Sequence, residues 1–165
     1  MKKKYILICV LLIALSQSGL RSQSVTVKET VNSINALLKA NPYVDNFLEI
    51  TFFYYIEVTP DRKLVVKMEA EGSFKSVFRA LISDLDYTYQ QDFCKRSSNT
   101  ISWNCKTEDL SKINKCVLVE NIIPKTSEAN YYHSNISIMF SNRNGICEEL
   151  YKSLEKLFKE VSISE

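Results

Sequence analysis

Glycine, proline and histidine are scarce in this 165-residue chain, with three, three and one copies. Glycine occurs only at positions 19, 72 and 145, which excludes the glycine-rich loops that cradle phosphates. So little glycine and proline also argues against a linker or low-complexity chain, and no internal repeat is present. A lone His133 cannot build a histidine metal site, and no nucleophile–base–carboxylate set accompanies it. Beside Tyr131 and Tyr132 it reads as a surface or interface ring. An excess of charge is lacking too. The formal net charge is +2, but Lys2, Lys3, Lys4 and Arg21 sit in a segment expected to be removed. Without them 17 bases face 19 acids, a charge of −2; a cut before Arg21 leaves −1. A near-neutral chain has no electrostatic footprint for nucleic acid. These absences describe a non-enzymatic protein with no catalytic residues, no cofactor and no metal.

Residues 1–23 have the three parts of a secretory signal peptide. Lys2 to Lys4 form a positive start, Tyr5 to Leu15 an apolar core, and Ser16 to Gln23 a polar tail with small residues. An apolar core of 11 residues is too short to span a bilayer. Cys9 lies inside it behind Ile8 and reads as an apolar filler, not a lipid acceptor. The sequence therefore predicts an exported protein, periplasmic or extracellular, with one globular domain over 24–165 and no membrane span in the mature chain.

The mature chain is organised around Leu48 to Glu71. Two strand patterns flank Thr59-Pro60-Asp61-Arg62, a turn in which proline presets one dihedral and aspartate bonds nearby backbone. Ile50, Phe52, Tyr54, Ile56 and Val58 share one face; Glu49, Thr51, Phe53, Tyr55 and Glu57 share the other. Before this hairpin, Ser24 to Lys39 reads as a helix. Thr26 and Glu29 fit a capping box, Val27, Val31, Ile34 and Leu38 form a stripe, and Asn41-Pro42 ends it. After it, strands are expected over Ser73–Asp86, where a helix using Phe74, Val77, Phe78, Leu81 and Ile82 is the alternative, and over Tyr87–Cys94, Thr100–Lys106, Cys116–Ile123 and Tyr131–Phe140. Turns or loops are expected over Lys95–Asn99, Thr107–Asn114 and Pro124–Asn130. The last element is a long amphipathic helix. Ile146, Cys147, Leu150, Leu154, Leu157, Phe158 and Val161 form its apolar stripe, and Glu148–Lys152, Glu155–Lys159 and Lys156–Glu160 form pairs on the opposite face.

The expected class is α+β: an N-terminal helix, about seven antiparallel strands in a bent sheet or partly open barrel, and a long C-terminal helix packed on it. This order resembles the pleckstrin-homology-like superfold from Leu48 to about Val161. The helix-grip lipid carriers and the cystatin-like arrangement are alternatives. Phosphoinositide binding in the first of these would need a basic cluster in the first hairpin turn. Arg62 and Lys63 beside Asp61 do not make one, so the resemblance brings no binding residues with it.

Cys94, Cys105, Cys116 and Cys147 are an even set in an exported chain, which predicts disulfides. Cys105–Cys116 with Cys94–Cys147 is the favoured pairing; Cys94–Cys105 across the Lys95–Asn99 turn is its rival. Spacings of about ten, ten and thirty residues do not suit zinc. Asp84 and Asp86 share a strand face without the oxygen-rich loop that calcium needs. Asn135-Ile136-Ser137 fits a glycosylation acceptor. Aromatics on both faces of the central strand allow two readings. Either the N-terminal helix covers the second face, or Phe53, Tyr55, Tyr131 and Tyr132 contact a protein or glycan partner. The first functional expectation is therefore a binding or interaction module of the cell envelope. The alternative is a carrier holding an apolar small ligand between sheet and last helix, in a cavity lined by Phe52, Ile56, Trp103 and Leu154.

Overall fold

Period-two alternation places the longest strands, and the structure, a computed structural model, follows it. It describes residues 25–70, 74–87, 94, 99–106, 116–123, 131–142 and 145–163. Helix α1 covers 25–40. The strands are β1 (Tyr43–Asp45), β2 (Ile50–Val58), β3 (Lys63–Ala70), β4 (Phe74–Leu81), β5 (Leu85–Asp86), β6 (Thr100–Cys105), β7 (Val117–Ile123), β8 (Tyr131–His133) and β9 (Asn135–Met139). Helix α2 spans Cys147–Ile163. The α+β class expected from the sequence is thus observed. The predicted signal segment over 1–23 lies outside the described residues, as do most of the Tyr87–Cys94 strand, the Lys95–Asn99 turn and the loops over Thr107–Asn114 and Pro124–Asn130.

The strands form two antiparallel sheets. One has the order β1-β2-β3-β4-β7-β8 and the other β5-β6-β9. Between β2 and β3, Arg62 donates its N–H to the Thr59 carbonyl at 2.9 Å, and Lys63 donates to the Thr59 hydroxyl at 3.1 Å. Arg62 sits at φ +60°. The chain changes sheet three times. A one-turn 3-10 helix, Ile82–Asp84, carries it from β4 to β5, the segment between β6 and β7 returns it, and Ser134 alone separates β8 from β9. The strand expected as one piece over Tyr131–Phe140 is therefore two. The first and last crossings meet at one corner, where Cys105 N–H bonds the Ser134 carbonyl at 2.9 Å and Lys106 N–H bonds the Asp84 carbonyl at 2.7 Å. The Cys105–Cys116 disulfide closes the same corner, with Cα atoms 5.9 Å apart. Cys94–Cys147, Cα atoms 5.7 Å apart, fastens the start of α2. This is the pairing favoured from spacing, and the rival does not form.

The core lies on the Tyr54/Ile56 face of the wide sheet. Ile56, Leu64, Val66, Ala80, Val119 and, from the second sheet, Ile101, Trp103, Ile136 and Ile138 pack there against α2. Leu150, Leu154, Leu157, Phe158 and Val161 come from α2, on the predicted stripe; Tyr151 joins them although the pattern omitted it. Ile34 and Leu38 of α1 enter the same cluster. So α1 does not lie over the Phe53/Tyr55 face, contrary to that reading, but flanks β2. β1 reaches only Ile50 to Phe52 of β2. Beyond that, the Asn35 amide takes over: its Nδ2 donates to the Ile56 carbonyl at 2.9 Å and its Oδ1 accepts the Ile56 N–H at 2.8 Å. Thr30, buried, donates to Glu160 Oε2 at 3.0 Å and ties α1 to α2. Thr26 lies inside the helix, so it is not the cap that the Thr26/Glu29 pattern suggested.

Candidate functional site

The four residues joining β1 to β2 are Asn46, Phe47, Leu48 and Glu49. Asp45 organises them: its Oδ1 accepts the N–H of Phe47 at 2.9 Å and of Leu48 at 3.0 Å. Aspartate is suited to such a turn because its short acceptor reaches backbone amides two and three residues ahead. Glu49 then turns the chain back with φ +53°. Behind the tip the rings of Tyr43 and Phe52 face each other across the strands, centroids 6.1 Å apart. The pairing of β1 with β2 runs to Asp45–Ile50, whereas β2 with β3 stops at Phe52–Ala70. Among the described residues, the hairpin therefore runs two residues, about 7 Å, past the last β2–β3 pair.

This arm presents apolar side chains to solvent. Phe47 is 93% exposed, Leu48 54% and Val44 39%. A single exposed apolar residue is ordinary. Three around one side-chain-fixed turn form a small ridge, and burial of the Phe47 ring contributes almost nothing to the fold. Between Ala40 and Asp61 there is no lysine or arginine, so Asp45 and Glu49 give the tip its charge.

The aromatic residues chosen from sequence do not gather into one patch. Phe53 and Tyr55 are half-buried on the outer face of β2. Tyr131 and Tyr132 are exposed on β8 at the opposite edge of the sheet, four strand spacings or about 19 Å away. Tyr132 shares the outer face with Tyr55, while Tyr131 points to the other side with His133, ring centroids 5.1 Å apart. Between them the outer face carries the ion pairs Arg79–Glu120, at 3.2 Å, and Lys67–Glu57. Phe47, Leu48 and Val44 were missed from sequence. The available signal was the Asp45-Asn46 pair, a turn former ahead of two large apolar residues.

Other candidate positions are compensated locally. A groove of about 380 Å³ beside α2 is lined by Cys94, Glu148, Tyr151, Lys152 and Glu155, with Lys152 paired to Glu148 at 3.8 Å. Asp84 accepts from the Ser83 hydroxyl at 3.2 Å, and Asp86 is on β5. Asn135 is exposed on β9, and the Ser137 hydroxyl meets that of Ser102 at 2.7 Å. Among the described residues, no three His, Cys, Asp or Glu side chains gather as metal ligands would. Of the residues expected to line a carrier cavity, Ile56, Trp103 and Leu154 are packed in the core, with Phe52 against its margin. The Phe158 ring fills the space beside Trp103, edge to face at 5.2 Å. Burial also pushes the Tyr54 phenol well above its usual range, and its O–H donates to Met68 Sδ at 3.1 Å.

Two disulfides fit an oxidising, exported environment. No helix of the described residues is long and apolar enough to cross a membrane. No protein family, curated protein or solved structure matches the chain.

Proposed function

We propose that this chain is an exported interaction module of the cell envelope, without enzymatic activity, that engages its partner through the β1–β2 tip. One observation carries the proposal: Phe47 is 93% exposed on a turn whose conformation Asp45 fixes. A large aromatic ring held out in this way adds little to the fold, yet it presents an anchor at low conformational cost. The disulfides support an envelope or extracellular setting. The close packing of Phe158 on Trp103 supports a module over a ligand carrier.

The test compares the native chain with Phe47→Ser, each exported by its own cells and crosslinked there before gentle purification. A partner complex seen only with the native chain, at equal melting temperature, is the expected result. The same complexes from both variants would refute a role for the tip. Native mass spectrometry of the purified chain adds a second check: a retained mass of lipid or metabolite size would favour the carrier instead.

A further inference from the structure

Charge decides what kind of partner the tip fits. Resting on the reading of the tip as a contact site, we infer that it docks into an apolar cleft of another protein whose rim carries Lys or Arg. Phe47 is the anchor and Leu48 and Val44 flank it. The acids Asp45 and Glu49 stand at the two ends of the turn, and the stretch from Ala40 to Asp61 brings no base near them. Such a tip is attracted to a cationic rim and repelled by an anionic lipid surface. A membrane-inserting loop would pair its aromatic ring with lysine or arginine instead. The geometry suits insertion into a cleft. The Phe47 ring stands 93% exposed, the amides of Phe47 and Leu48 are already satisfied by Asp45, and burying the ring leaves neither donor stranded.

The experiment is photocrosslinking in the cells that make the full-length protein, with benzoylphenylalanine replacing Phe47, Tyr55 or Tyr132 in turn. The expected adduct from position 47 is a protein, crosslinked at an apolar segment bordered by Lys or Arg. With that partner purified, Phe47→Ala weakens binding about thirtyfold, as loss of an anchor residue does. Glu49→Lys weakens it about fivefold, and added salt weakens the native complex. The melting temperature of each variant stays near that of the native chain. A lipid adduct, a self-adduct, or affinity insensitive to both Glu49→Lys and salt would overturn the inference. Adducts from position 55 or 132 alone would overturn it while leaving an interaction module standing. Adducts from none of the three would overturn both.

Discussion

Asn35 offers the most demanding check on the fold. Its amide stands in for a missing neighbouring strand, closing both backbone groups of Ile56 with bonds of 2.9 and 2.8 Å. The Ile56 side chain is fully buried, so water has little access to restore those bonds. In Asn35→Ala each bond forfeits about 1 kcal/mol, with an added penalty for a polar group left unpaired, giving a loss of roughly 2–4 kcal/mol. Spread over the unfolding entropy of a chain of this length, that lowers the melting temperature by roughly 10 °C. Alanine also improves intrinsic helix propensity relative to asparagine. The exposed Asn32 on the same helix is therefore the proper reference, because Asn32→Ala gains the propensity without touching β2. The assay is denaturant unfolding of both variants without reductant, together with hydrogen exchange at the Ile56 amide. A difference between the variants below about 0.5 kcal/mol, with Ile56 still protected, would refute the strand-substitute reasoning.

Three further outcomes follow from the same structure. The Lys63 and Thr59 side chains hold the Asp61 carboxyl down to about 2, below its ordinary 3.8. Its contribution is therefore complete above pH 3.8 and fades as the pH falls through about 2; NMR titration of Asp61 should show that midpoint, and Asp61→Asn should abolish the pH dependence at this turn. The disulfides span 53 and 11 residues, so chain-entropy reasoning makes loss of Cys94–Cys147 costlier than loss of Cys105–Cys116 by about 1.4 kcal/mol, to be measured on paired Cys→Ser variants. Glu49 and Arg62 occupy left-handed backbone, at φ +53° and +60°, so Glu49→Gly and Arg62→Gly should each stabilise by about 0.5–1 kcal/mol in thermal unfolding.

Long periodic elements were legible from sequence. The faces of β2, the stripe of α2 and the buried Ile101, Trp103 and Cys105 of β6 follow directly from alternation or helical spacing. Short elements were not: β1 is only Tyr43–Asp45, too brief for a pattern, so the hairpin tip at Phe47 went unread. The break at Ser134 was not legible: Tyr131, Tyr132 and His133 are all exposed, so no buried position of β8 marks a change of parity against Ile136, Ile138 and Phe140. Placement of α1 depended on a side-chain amide meeting a strand edge, a tertiary contact that no local pattern encodes.

The three sheet crossings also set an order of events for folding. β2, β3 and β4 pair with their immediate neighbours, so this meander can form early and locally. β7 then has to find β4, pairing Arg79 with Leu118 across 39 residues of chain that travel through the second sheet. That is the slow, non-local step, and until it is complete the far edge of β4 is an open template for a wrong strand. Linking Cys105 to Cys116 delivers the start of β7 to the corner where β4 ends. Oxidation of that pair should therefore quicken refolding and suppress aggregation in stopped-flow and light-scattering experiments, beyond what it adds to equilibrium stability.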